Sequence, residues 1–176
     1  MTTPSTTLGR ITVRTEIGPL LLTARGSALH RIDFPPSSSH DLRDLPGFVD
    51  SGVPDEPGDR STSQVLHAAA SQLAEYFARR RTEFDLPYDP DGTAFQRNVW
   101  EALARIPYGD TLSYAELAAL IGRPRAVRAV GAANGANPLP IVLPCHRVVG
   151  SDGTLTGYAG GLATKQRLLE LERLGG

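Results

Sequence analysis

The chain has a single cysteine among 176 residues, and this excludes two of the ways in which a polypeptide of this size is held together. No internal disulfide can form, and no cysteine-based zinc cluster can be assembled. The fold must come from burying apolar side chains. Apolar residues make up 40% of the chain, enough for one domain or two small ones sharing an interface. The cysteine sits in Pro144-Cys145-His146-Arg147, directly after the apolar run Leu139-Pro140-Ile141-Val142-Leu143. An isolated free cysteine is most often an inert core residue. A reactive one must become a thiolate, which a neighbouring base or cation favours; His146 is such a neighbour.

Periodicity divides the chain near residue 90. In residues 1–90, Ile11 to Thr15, Leu20 to Thr23 and Ala28 to Phe34 read as strands separated by the turns Ile17-Gly18-Pro19 and Arg25-Gly26-Ser27, a small antiparallel sheet. Residues 35–60, rich in Pro, Ser, Asp and Gly, read as a long mobile surface loop. Ser63 to Arg80 reads as a helix with Val65, Leu66, Ala69, Leu73, Tyr76 and Phe77 on one face. Thr82 to Leu86 reads as a further strand, and Pro87 to Gly92 as a linker.

Residues 91–176 read as mostly helical. Thr93-Ala94-Phe95-Gln96 and Ser113-Tyr114-Ala115-Glu116 are two capping boxes. The first opens a helix that carries Phe95, Val99, Trp100 and Leu103 inward; the second opens one with Tyr114, Leu117, Ala118 and Ile121 in a stripe, ended by Gly122. Pro124 suits the first turn of the next helix, which runs to about Ala133 and ends at Asn134-Gly135. Leu162 to Leu174 forms a last helix. The fold class is therefore α+β, an N-terminal sheet with a helix followed by a C-terminal domain with helix-turn-helix spacing.

Net charge is −1, but it is unevenly spread: −3 over residues 1–90 and +2 over residues 91–176. Between Glu116 and Asp152 there is no acidic residue, whereas Arg123, Arg125, Arg128 and Arg147 lie there. Such a stretch can guide a polyanion even in a neutral protein. The helix after Arg123 is built of small residues with Arg128 projecting from it. It offers few side chains for reading bases in a major groove, so a DNA contact made by it would read shape or the minor groove. A plain helical hairpin fits the same pattern. Asn134-Gly135-Ala136-Asn137-Pro138 reads as a turn joining this helix to the cysteine segment. In an extended strand Cys145 and His146 would point to opposite faces, so contact between them needs a bend or a bridging water. A third group should orient the imidazole; Glu170 and Glu172 on the last helix are the acidic candidates. Gly157-Tyr158-Ala159-Gly160-Gly161 is a glycine-rich loop that lacks the ending of a phosphate-binding loop.

Together, Pro144-Cys145-His146-Arg147-Val148, Asn137-Pro138, Ile106-Pro107-Tyr108-Gly109, Ser113-Tyr114, Arg128-Ala129-Val130-Gly131 and Tyr158-Ala159-Gly160-Gly161 resemble the O6-alkylguanine-DNA alkyltransferase family. The resemblance is strong over residues 93–174 and loose before them. It implies a ribonuclease-H-like first domain and direct, single-turnover transfer of an alkyl group from O6-alkylguanine, and also O4-alkylthymine, in double-stranded DNA to Cys145. His146 would deprotonate the thiol through a water, Glu172 would hold the imidazole, and Asn137 would brace the hinge. Arg128 would fill the gap left by a flipped nucleotide, and Tyr114 would crowd its phosphate. Pro140, Val148, Tyr158 and Ala159 would line the base pocket, with Arg123, Gly131 and Ser151 also on the DNA side. No cofactor is implied. Some relatives bind zinc through N-terminal cysteines; this chain has none there, so no metal is expected. The polar start and the lack of a membrane-length apolar stretch fit a cytoplasmic protein, expected to be monomeric, with cooperative binding along DNA left open. A cysteine hydrolase and a lesion-binding sensor remain as alternatives; the first predicts turnover, and relatives of the second kind lack the cysteine.

Overall fold

The computed structural model describes residues 8–34 and 60–175. The stretch read as a loop over residues 35–60 falls, all but its last residue, outside the described residues. The chain divides into two compact units, Met1–Asp91 and Gly92–Gly176.

In the first unit, β1 (Leu8–Thr15), β2 (Gly18–Arg25) and β3 (Ala28–Asp33) form an antiparallel sheet in the order β1-β2-β3. Strand β2 is central, and its Leu20, Leu22 and Ala24 are fully buried, the period-2 pattern of a strand with one covered face. That face is covered by α1 (Arg60–Phe77), which buries Val65, Leu66, Ala69, Leu73 and Tyr76. The Thr82–Leu86 strand expected from the sequence is absent. Asp85 instead has both backbone groups satisfied by one side chain, since its N–H donates to Gln72 Oε1 and its carbonyl accepts from Gln72 Nε2, each at 2.8 Å. Pairing is limited to a single bridge two residues later, between Leu29 and Tyr88.

The second unit contains α2 (Ala94–Leu103), β4 (Leu112–Ser113), α3 (Tyr114–Leu120), α4 (Val127–Gly135), β5 (Val148–Val149) and α5 (Leu162–Gly175). Both capping boxes form. Thr93 Oγ1 accepts from Gln96 N and the Gln96 side chain accepts from Thr93 N; Ser113 and Glu116 do the same. Helix α3 stops at Gly122, whose φ of +71° is a left-handed turn that a residue with a Cβ adopts at a cost. Helix α4 begins later than Pro124. A turn closed by Ala126 N–H to Arg123 O (2.8 Å) comes first, with Pro124 at its second position, where its fixed φ is already suitable. Asn134 and Gly135 lie inside α4, not beyond it, and Ala136 caps it. Trp100 on α2 ties to α4 by donating its indole N–H to Ala133 O at 2.8 Å. Strands β4 and β5 pair in parallel, Leu112 with Val148 and Ser113 with Val149, a pairing too short to leave a sequence pattern.

Candidate active site

Cys145, His146 and Arg147 form one 3₁₀ turn, closed by Arg147 N–H to Pro144 O at 3.0 Å. Three residues per turn fan successive side chains around the axis, so the opposite-face problem of an extended strand does not arise. All three side chains are buried. The approach to this turn is itself a tight loop. Leu143 N–H donates to Leu139 O at 2.8 Å, and Ile141 at its apex has φ +75°, a strained conformation for a β-branched residue. Asn137 holds the loop at both ends: Oδ1 accepts from Leu139 N (3.0 Å) and Nδ2 donates to Leu143 O (2.7 Å). From α4, Asn134 Nδ2 reaches Cys145 O at 3.5 Å.

The two residues that follow the thiol form, with Glu172, a charged cluster with almost no exposure. His146 Nε2 meets Glu172 Oε1 at 2.7 Å. Arg147 forks onto the same carboxylate, Nε to Oε2 and Nη2 to Oε1, both at 2.9 Å, while its Nη1 donates to Ile106 O at 2.6 Å. Gly109 N–H adds a bond to Glu172 Oε2 at 3.2 Å. Burial pushes the Glu172 carboxyl up, but the bonds from His146 and Arg147 outweigh it and bring the group down to about 2. Glu172 is thus an anion and only accepts. Nε2 of His146 must then carry the proton, and Nδ1 the lone pair. That Nδ1 is buried and has no hydrogen-bond partner among the described residues. Burial pushes His146 down and outweighs the raising effect of Glu172; the charges of Arg147 and Lys165 lower it further. The imidazole is therefore neutral. Glu170, the other acid considered from sequence, instead accepts from Gln166 on the exposed side of α5.

Burial pushes the Cys145 thiol up to about 11, against the opposing pull of Asn137, the Lys165 charge and the backbone N–H groups of Cys145 and His146. At neutral pH such a thiol is ionised in roughly one molecule in ten thousand. Spontaneous ionisation does not supply the nucleophile, so a proton acceptor at hand is required.

Of the remaining residues singled out from sequence, Pro140 and Val148 are buried and Tyr158 is half-buried. Burial first, then the Glu172 charge and the charge Cys145 carries once ionised, keep the Tyr158 phenol well above its ordinary range. Tyr114 opens α3; its hydroxyl donates to Thr156 O at 3.3 Å, and an added Cβ on Gly131 would lie 3.7 Å from its ring. Arg123, Arg128, Ser151 and Ala159 are exposed. Neither Arg123 nor Arg128 has an ion-pair partner among the described residues. The structure thus gathers Cys145, His146, Asn137 and Glu172 into one buried cluster and leaves the two arginines exposed, with no ion pair among the described residues.

Two buried cations escaped the sequence reading. In the sequence Arg147 stands out only as a letter of the Pro144–Arg147 motif and as local positive charge. Lys165 is fully buried; its Nζ donates to Thr156 O at 2.8 Å and lies 6.0 Å from the centroid of the Tyr114 ring. A signal for it existed. Lys165, Leu168, Leu169 and Glu172 stand at i, i+3, i+4 and i+7 on α5, so one stripe holds two charged residues where apolar ones belong. Among the described residues, no group of His, Cys, Asp and Glu is arranged to hold a metal, and no helix is long and apolar enough to cross a membrane.

Fold and site define a class: a two-unit α+β protein with one buried thiol, a buried imidazole–carboxylate pair that begins at the next residue, and a helix-turn-helix pair carrying exposed arginines. Residues 6–90 match the ribonuclease-like domain, and residues 94–174 the DNA binding domain, of 6-O-methylguanine DNA methyltransferase. A methylated-DNA–protein-cysteine methyltransferase of Methanosarcina barkeri is 45% identical over 160 residues, covering 91% of this chain and 94% of its own. One from Mycobacterium tuberculosis is 47% identical over 167 residues, covering 92% and 90%. The crystal structure of Mycobacterium tuberculosis OGT in complex with DNA superposes with a TM-score of 0.78 at 44% identity, covering 95% of this chain and 94% of that one. The chain belongs to the 6-O-methylguanine DNA methyltransferase family.

Proposed function

We propose that this protein repairs DNA by moving an alkyl group, typically methyl, from O6 of guanine to Cys145, once per molecule. The observation that carries this reading is the chain's one thiol, buried on a tight turn beside a neutral imidazole whose Nδ1 lone pair is unspent. In the reaction, the proton of the Cys145 Sγ–H passes through a water to His146 Nδ1, and Glu172 stabilises the imidazolium that results. Sulfur attacks the alkyl carbon; the S–C bond forms as the C–O6 bond breaks, and the electron pair leaves on the purine. Donors around O6, with Tyr158 and the backbone near Val148 and Ala159 as candidates, stabilise that charge. The product is a thioether with no carbonyl for water to attack, so the cysteine is not regenerated.

The target carbon is closed off inside a duplex, so the nucleotide must be rotated out. Arg128, exposed on the small-residue helix α4, is the residue to occupy the gap, with Tyr114 beside Gly131 crowding the phosphate and Arg123 on the backbone. O4-alkylthymine presents the same carbon–oxygen bond and is a second substrate. A thiol spent only on lesions needs a reducing compartment, which favours the cytoplasm.

The test is intact-protein mass after incubation with a duplex bearing O6-methylguanine. The mass should rise by one methyl group and saturate at one per chain, on Cys145. Cys145→Ser should bind the duplex and gain nothing. A methylated serine variant, or processing of many equivalents per chain, overturns the reading; the latter would favour a hydrolase.

A further inference from the structure

Arg147 has no part in the reaction just described, yet it is buried in the turn that carries the nucleophile. Burying a guanidinium is costly unless its partners are well placed, and here they are. Its fork takes both oxygens of Glu172, its third nitrogen takes Ile106 O, and its carbon lies 5.7 Å from the centroid of the Tyr108 ring. Arg147 gives Glu172 two hydrogen bonds, one to each carboxylate oxygen, beside those from His146 and Gly109.

We propose that Arg147 is a positioning residue for the base: by neutralising and orienting Glu172, it holds His146 in the tautomer that leaves Nδ1 open to the thiol proton. This rests on the assignment of His146 as the proton acceptor. Without the guanidinium, Glu172 would be a buried anion that has lost its one cationic fork and both of the hydrogen bonds it supplies. The Glu172–His146 pair would then take up a proton as a unit. If the proton sits on His146, Nδ1 is occupied. If it sits on Glu172, the carboxyl donates it to Nε2, and the imidazole's own proton must move to Nδ1. In both states the lone pair that accepts from Cys145 is lost.

The other ionisable groups around the pair cannot substitute. Lys165 on α5 adds positive charge felt by His146 and Cys145, but Glu172 draws its stabilisation from His146 and Arg147. Cys145 and Tyr158 are held neutral by burial. Tyr108 packs against the guanidinium.

The experiment uses the full ¹⁵N-labelled chain. The protonation of the His146 ring nitrogens is followed by NMR against pH, and single-turnover methyl transfer from an O6-methylguanine duplex is measured over the same range. The wild type should show Nδ1 unprotonated and Nε2 protonated at neutral pH. Arg147→Met should keep Nδ1 protonated to a higher pH than the wild type, and its acid limb of transfer should move up with it by about one pH unit, a tenfold loss of rate on that limb. On a Glu172→Gln background the same substitution should move the Nδ1 signal much less, because no anion remains to compensate and only the direct effect of the Arg147 charge on His146 is lifted. An unchanged tautomer and pH profile in Arg147→Met, or an equal shift on both backgrounds, overturns the inference. If Arg147→Met does not fold, Arg147→Lys, which keeps the charge and loses the fork, is read the same way with a smaller shift. Failure of the wild type to take up methyl would sink the assigned function alone, since the tautomer is read without DNA.

Discussion

Replacing Asn137 with alanine removes two bonds of unequal worth. Leu139 N–H has Asn137 Oδ1 as its partner and is fully buried, so losing it leaves an unsatisfied donor at about 1–3 kcal/mol. Leu143 O also accepts from Cys145 N–H at 2.7 Å, so losing Asn137 Nδ2 costs only the net value of one bond, about 0.5–1.5 kcal/mol. The sum is about 1.5–4.5 kcal/mol, a large share of the roughly 5–15 kcal/mol that typically holds a domain together. Relaxing the left-handed Ile141 does not cancel this loss, because opening the loop also breaks Leu143 N–H to Leu139 O. The variant should therefore unfold at lower urea concentration, followed by fluorescence of Trp100, the chain's one tryptophan, which lies in the same unit as the site. Its thiol should also react more slowly with iodoacetamide at fixed pH, since Asn137 is the strongest of the groups drawing the Cys145 pKa down. A destabilisation below about 1 kcal/mol together with unchanged thiol reactivity would refute the claim that Asn137 holds this loop.

Three further outcomes are expected. Lys165→Met should raise the thiol pKa, because the lysine charge lowers it; the iodoacetamide pH profile of the free protein should shift to higher pH, and an unmoved profile would show that the charge does not reach sulfur. Arg128→Ala should slow repair of a lesion in duplex DNA more than alkyl transfer from the free base, with binding weakened by salt in both proteins; equal slowing would remove Arg128 from base extrusion. Glu172 has a folded-state pKa of about 2, below its unfolded value, so its contribution is present above the unfolded pKa and lost as pH falls through about 2. That amounts to on the order of 3 kcal/mol between roughly pH 5 and pH 2; acid titration of stability should be flatter over this range in Glu172→Gln, and identical slopes would contradict the assignment.

What could be read from sequence was what is local. The capping boxes at Thr93 and Ser113 and the glycine stop at Gly122 are decided within four residues, and they form as read. The sheet of β1–β3 is legible for the same reason, since its turns and alternation lie within the strands themselves. The misread segments depend on partners far away. Thr82 to Leu86 has strand-like residues, but a glutamine thirteen positions earlier takes its hydrogen bonds. Pro124 fits a helix start or a turn equally well, and the carbonyl of Arg123 decided for the turn. Choosing Glu172 over Glu170 needed the resemblance to a known family. The inward face of α5 points the same way, since Glu172 shares the buried stripe of Lys165, Leu168 and Leu169 and Glu170 does not.

The tight turn at Cys145–Arg147 cannot be transplanted as a peptide. Its shape depends on an amide from the end of α4, a loop carbonyl at Ile106, a backbone N–H at Gly109 and a carboxylate from α5. Grafted alone onto another scaffold, the same four letters would yield an everyday sulfhydryl. An engineer wishing to move the chemistry would have to carry nearly the whole of residues 92–176 along with it.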